Sequence, residues 1–248
     1  MLILLPPSET KSGGGEGPPL ELDRLSFPEL TSARKELIDQ LVTLAADAGA
    51  SRAALGLSEH QDAEIARNAV LWCAPTAPAL RRYTGVLYDA LGAGSLRGAA
   101  AGRAASRLVV GSALFGLLRA GDPVPAYRLS AGATLPDRGT LGAFWRPRLE
   151  PVLTELDGLV VDLRSGGYTE LGRLPGAVTV TVLTERSDGA RSVVSHHNKA
   201  SKGQLARLLA GTRAEPTDLA GLLRVLRRAG HSVERGEHPD ELLLVLRI

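Results

Sequence analysis

The sequence predicts a single mixed α/β domain, and three observations predict it. Short apolar runs alternate with longer segments of helical period, without a regular strand–helix–strand repeat. No charge run, internal repeat or Ser/Gly linker divides the 248 residues. The hydrophobic content of 44% is that of a globular core. Aromatic residues make up only 4%, so Leu, Val and Ala must fill that core.

Taken in order, Leu2–Leu5 reads as a buried strand stopped by Pro6-Pro7. It delivers a polar, Gly-rich loop that runs to Pro19 and is too long for a simple turn. Leu30–Ala48 carries Leu37, Leu41, Leu44 and Ala48 at helical spacing, with Gly49 as its C′ residue. Ser58 and Gln61 form a capping box that starts a helix reaching Leu71. Ala79–Leu91 and Ser95–Arg107 read as helices, and Leu108–Gly111 as a short strand. Gly142–Leu156 is helical with a kink or restart at Pro147 and Pro151. Leu159–Leu163 is strand-like, and 177–185 with 192–196 makes a hairpin around Asp188-Gly189. Gly203–Leu209 and Leu219–Ala229 are helical, and 242–248 is a final strand.

Composition narrows the setting. Cys73 is the only cysteine, which excludes an intrachain disulfide or a multi-Cys metal site and points to a reduced, cytoplasmic compartment. No apolar run approaches the roughly 20 residues that span a bilayer, and no basic n-region precedes Met1–Leu5. There is no HExxH, and His196 and His197, adjacent on a strand, face opposite sides. No metal and no cofactor is therefore expected. A monomer is favoured, without a membrane partner.

Charge is uneven along the chain. Residues 81–148 hold 10 basic and 3 acidic side chains, whereas residues 1–80 hold 6 and 11. A folded surface that gathered the middle arginines would present a patch suited to phosphates. Arginine outnumbers lysine 25 to 4, and Lys11, Lys199 and Lys202 all fall in polar, Gly-containing segments.

Six segments could carry chemistry. Pro6 to Gly15, with Ser8, Glu9, Thr10, Lys11 and Ser12, is a strand-fed loop able to cradle an anion; its glycines follow the Lys-Ser pair, so it is not a P-loop. Tyr83-Thr84-Gly85 and Tyr88, beside Arg81 and Arg82, suit base stacking and phosphate contacts, or packing at a helix edge. Tyr127 and Arg128 follow two prolines on a stiff segment, with a structural ion pair as the plain alternative for Arg128. Asp162 to Tyr168, including Ser165, follows a strand, where ligand sites often lie. Lys199 and Lys202, close to Gly203, sit near a helix N-terminus, a place where lysines are better tolerated beside a bound anion. Leu55-Gly56-Leu57-Ser58 has the pattern of a turn whose backbone amides approach a phosphate.

Taken in chain order, these pieces resemble the signatures of the YaaA peroxide stress protein family. The resemblance runs from Leu2 to Lys11 through Tyr83-Thr84-Gly85, Ser112 with Leu114 to Arg119, Pro125 to Leu129 and Phe144-Trp145. It ends in Asp162 to Tyr168 and Lys199 to Gly203. It implies one α/β domain with a positively charged cleft and a helix-hairpin-helix element, which Leu55–Ser58 matches best. It also implies DNA binding and protection against hydrogen peroxide when intracellular iron is available. The chain departs from some relatives at Gly166-Gly167, where others carry acidic residues, and in a longer loop around Glu9-Thr10-Lys11. Both departures bear on any acid/base role there.

Two functions follow as expectations. In the first, the protein binds DNA through Lys11, Arg81, Arg82, Thr84, Gly85, Arg128, Lys199, Lys202, Gly203 and Gly56. In the second, it is an enzyme acting on a nucleobase, nucleotide or related small molecule, with Ser8, Lys11, Tyr83, Tyr127, Ser165, Tyr168 and Lys199 as its working groups. An interaction module without chemistry ranks last. All of these segments should meet in one cleft.

Overall fold

A computed structural model describes residues 1–164, 166–193 and 198–247, and the fold is mixed α/β. Its centre is an eight-stranded sheet: β1 (Leu2–Leu5), β2 (Leu108–Ser112), β3 (Gly116–Arg119), β4 (Val160–Asp162), β5 (Val178–Glu185), β6 (Arg191–Val193), β7 (Val233–Arg235) and β8 (Glu241–Arg247). The order is β7-β8-β5-β4-β1-β2-β3, with β6 added to β5. The five inner strands, β8, β5, β4, β1 and β2, run parallel, and β3, β6 and β7 are antiparallel to their partners. β1 sits between β4 and β2, pairing Ile3 with Val161 on one side and with Leu108 on the other. Its Ile3, Leu4 and Leu5 are completely buried, as expected for a parallel strand covered on both faces.

Ten helices are described: α1 (Thr31–Leu44), α2 (Ala48–Leu55), α3 (Asp62–Ala69), α4 (Ala79–Arg82), α5 (Val86–Leu91), α6 (Gly98–Arg107), α7 (Leu141–Thr154), α8 (Gly167–Glu170), α9 (Asn198–Gly211) and α10 (Leu219–Arg228). α9 packs on β1, β5, α5 and α6, which brings its first turn over the end of β1. α9 comes close to α5 at Gly203, where a Cβ would stand 2.3 Å from the Leu87 carbonyl oxygen. Only a residue without a side chain lets α9 lie this near α5.

The structure corrects several expected boundaries. The first long helix ends at Leu44, and Gly49 lies inside α2, because the Asp47 carboxylate accepts from the Ala50 amide and starts a new helix there. The Ala79–Leu91 segment is two helices broken at Tyr83-Thr84-Gly85, with Gly85 at φ 94°. The helix that follows begins at Gly98 rather than Ser95. α7 runs unbroken through Pro147 and Pro151. β3 and β7 were not anticipated; both pair antiparallel with a neighbouring strand and carry too few residues for periodicity to show. The Ser58–Gln61 capping box is present, but it opens a short 3-10 turn before α3. The Asp188-Gly189 turn joins β5 and β6 as expected, and residues 194–197 of that arm lie outside the described ones.

Candidate functional site

The carboxyl ends of β1 and β4 open into a cavity of about 500 Å³. Parallel strands leave such crevices because the chain departs from neighbouring ends in different directions. Pro6-Pro7 ends β1, since proline cannot continue a ladder, and the loop after it is tied down at several points. Tyr88 Oη donates to the Pro6 carbonyl at 2.8 Å, and the Thr84 amide donates to Ser8 Oγ at 3.0 Å. Lys11 forms a bridge with Tyr83, and the Ser12 amide donates to the Arg82 carbonyl at 2.9 Å. The loop is long but has little freedom.

Four separate segments wall this cavity. The Pro6–Thr10 loop forms one side and Thr84–Tyr88 another; Leu163, Gly167 and Tyr168 come from the end of β4, and Asn198, Lys199 and Lys202 from the first turns of α9. Lys199 is exposed. Lys202 is buried, donates to the Leu163 carbonyl at 3.2 Å, and has its ammonium pKa lowered by burial, partly offset by Asp162. The β4 loop is held by an internal clamp: Arg164 binds the Asp162 carboxylate through Nε and Nη2 and also donates to the Tyr168 and Gly172 carbonyls.

A second cavity of about 370 Å³ adjoins the first, and Glu9 lines both. Its walls come from the end of α2 with Gly56, and from Arg128 to Thr134. Between the two cavities the Glu9 carboxylate reaches Arg128 Nη1 at 3.1 Å and accepts from Tyr168 Oη at 3.3 Å. Arg128 is set rigidly: Asn68, buried on α3, accepts from its amide and donates to its carbonyl, both at 2.8 Å. Arg128 Nε is buried and finds no acceptor among the described residues. Gly56, at φ 64°, ends α2 in the left-handed conformation that glycine adopts freely. The amides of Gly56 and Leu57 both donate to the Arg52 carbonyl, and that of Ser58 donates to Gln61. The turn therefore engages its own amides internally.

Behind the first cavity lies a sealed chain of hydroxyls. Tyr83 and Tyr127 are hydrogen-bonded at 2.9 Å, and Tyr127 and Ser112 at 2.8 Å, all buried. Burial pushes Tyr83 up to about 12 and Tyr127 well above the ordinary phenol range. Lys11 Nζ stands 4.1 Å from the Tyr127 ring centroid and donates to the Ser8 and Glu9 carbonyls at 3.0 and 3.3 Å. Burial lowers its pKa to about 7, against the pull of the Glu9 charge and with that of Arg128.

The structure thus brings Ser8, Thr84, Gly85, Tyr168, Lys199 and Lys202 to one cavity, and Arg128 and Gly56 to its neighbour. Lys11, Tyr83 and Tyr127 form the layer behind. Arg82 is not a surface cation: it is fully buried and donates to the Ser12, Gly14, Pro75 and Val124 carbonyls. Gly203 serves helix packing, and Arg81 is exposed but lines neither cavity. Ser165 lies outside the described residues. The middle-segment arginines do not gather at these cavities, where Arg128 is the one described cation from residues 81–148. Others are drawn into clamps, such as Arg107 onto the Leu209 and Thr212 carbonyls. Asn68 lay outside every expected segment, and Glu9 and Asn198 stood inside them without an assigned role. For Glu9 a signal existed, as the only acidic residue among Pro6–Gly15.

A mixed sheet with its cavity at the carboxyl ends of parallel strands, closed by a clamped N-terminal loop and a lysine-bearing helix, defines the class of α/β protein. The family model described as peroxide stress protein YaaA matches residues 1–235, and the chain belongs to that family. A UPF0246 protein of Corynebacterium efficiens is 49% identical over 250 residues, covering 99% of this chain and all of that protein. One of Streptomyces coelicolor is 47% identical over 94% of this chain and 92% of its own length. One from Corynebacterium glutamicum is 45% identical over 99% of this chain. Among the described residues no helix is long and apolar enough to cross a membrane, and no group of His, Cys, Asp and Glu is placed to hold a metal ion.

Proposed function

We propose that the cleft of this peroxide-stress-family protein binds a nucleoside phosphate, carried by a DNA strand or supplied as a free nucleotide. The observation that supports this reading is the four-segment cavity with Lys199 and Lys202 on one wall and the rings of Tyr88 and Tyr168 on others. Its volume suits a nucleotide rather than a duplex groove. The two ammoniums and the first turn of α9 favour an anion, while Val86, Leu87 and Leu163 offer apolar surface to a base or sugar. A strand bound here presents an unstacked nucleotide. With its amides already engaged, the Gly56 turn contributes shape to the neighbouring cavity.

The test is a fluorescence-anisotropy titration with a labelled oligothymidylate of about ten nucleotides. With Arg128, Lys199 and Lys202 as the phosphate contacts, affinity falls about twentyfold between about 50 and about 200 mM salt, because each contact adds roughly −0.7 to the log–log slope on single strands. Competition by thymidine monophosphate separates the free from the strand-borne ligand. No binding of either at low salt removes the proposal.

A second reading is favoured by Lys11, whose pKa near 7 suits proton transfer. Its Nζ stands behind the cavity wall on the Ser8 and Glu9 carbonyls, so this reading requires that segment to open before a nucleobase or nucleotide meets it. It predicts turnover of a nucleotide substrate that rises through about pH 7 and disappears in Lys11→Met, with binding retained. Binding without turnover of any nucleotide removes it.

A further inference from the structure

Arg128 has the features of an anion seat that is already filled from within the chain. Its backbone is pinned from both sides by Asn68, so the guanidinium is presented at a set position between the two cavities. The side chain is 18% exposed, yet its Nε is buried without an acceptor among the described residues. A buried, unpaired donor is costly, and a guanidinium fork is built to be met by two oxygens at once. The Glu9 carboxylate satisfies only one arm, at Nη1. Glu9 itself is 49% exposed and stands on a loop residue whose other side-chain contact is the long bond from Tyr168. One partner is fixed and under-satisfied, and the other is half in water.

We propose that Glu9 is an internal stand-in for a phosphodiester. In this arrangement a phosphate drives the Glu9 carboxylate off Nη1 of Arg128 by charge repulsion, engages Nε and Nη2 side-on, and joins the two cavities into one trough. The inference rests on the nucleoside-phosphate reading above and extends it: the ligand spans from the Lys199–Lys202 wall to the wall beside Gly56, which a single-stranded DNA segment does and a mononucleotide does not. A phosphate carries the same charge sense as the carboxylate but offers more acceptor oxygens, so it can meet the Nε that Glu9 leaves unmatched. Displacement of Glu9 also removes the partition between the cavities, since it is the one residue lining both among those described.

The experiment is a double-mutant cycle on the full chain, read by anisotropy with the labelled oligothymidylate and by competition with thymidine monophosphate. Glu9→Gln tightens the oligonucleotide about threefold to tenfold, the scale on which a partly exposed ion pair competes. Arg128→Ala weakens it about tenfold or more, and Arg128→Lys, which keeps the charge but not the fork, recovers only part of that loss. In the Arg128→Ala background the Glu9→Gln gain disappears. Circular dichroism confirms that each variant is folded. A gain that persists without Arg128 is general relief of charge repulsion and overturns the exchange, as does an unchanged or weaker Glu9→Gln. Thymidine monophosphate bound as tightly as the oligonucleotide overturns the trough. Wild-type binding with an indifferent Glu9→Gln sinks this inference alone, whereas no binding by any variant sinks the nucleotide reading with it.

Discussion

Arg82 donates to four backbone carbonyls and is fully buried, whereas Arg128 holds a single carboxylate at the rim of a cavity with its Nε unmatched among the described residues. The two belong to regions of different construction. Around Arg82, the N-terminal loop, the Pro75 segment and the Val124 segment are stitched by one guanidinium whose donors are matched. Arg34 likewise ties Ser26, Phe115 and Leu117 together, and its Nη1, without an acceptor among the described residues, is sealed in the core rather than set at a cavity. Arg128 and Lys199 give no side-chain bond to a carbonyl among the described residues, and Lys202 lines the cavity while keeping one bond to the Leu163 carbonyl. The difference teaches that satisfaction, more than charge, separates a structural cation from a binding one. A guanidinium with every donor occupied has nothing to offer a ligand.

The comparison breaks most readily at Arg82. Arg82→Met leaves the buried Val124 carbonyl and three part-buried ones without this donor and lowers stability in urea by about 3 kcal/mol or more. Arg128→Ala stays within about 1 kcal/mol, because its pair is partly exposed. Equal costs would erase the distinction.

Lys11 lies between the two regions, and pH sharpens its place. Its folded pKa of about 7 lies below the ordinary 10.5. Below about 7 both states carry the charge, and the cost of the buried ammonium is fully felt. Between those values the unfolded chain binds more protons, so stability rises with pH. Wild type should gain about 2.7 kcal/mol over Lys11→Met as pH goes from about 6 to about 9. A constant difference across that range would show that Lys11 is not neutralised by burial.

The smallest expected effect on the fold is at Lys199. Lys199→Ala changes stability by less than about 0.5 kcal/mol, yet lowers the salt slope of oligonucleotide binding by about 0.7. A loss of stability with an unchanged slope would move Lys199 to the structural side.

Much of the fold was legible from short stretches. Leu2–Leu5 with Pro6-Pro7 announced a buried strand and its loop, and the Asp188-Gly189 pair announced a hairpin turn. The Ser58–Gln61 box was correct in chemistry, though it opened a 3-10 turn first. Illegible were β3 and β7, whose few residues carry no period. For the site, the motif segments did converge, but sorting Arg82 from Arg128 was beyond reach. Both are arginines beside tyrosines and a few residues from prolines.

What the sequence by itself determined is what depends on neighbours along the chain: apolar period, proline stops, caps, and the ordered motifs that place the chain in its family. Tertiary structure alone decided which cations were consumed. Whether a guanidinium meets carbonyls or a cavity depends on segments far apart in the chain, as Arg82 meets Ser12 and Val124. A carbonyl offers the same acceptor whatever its residue, so the composition of those segments carries no record of the meeting.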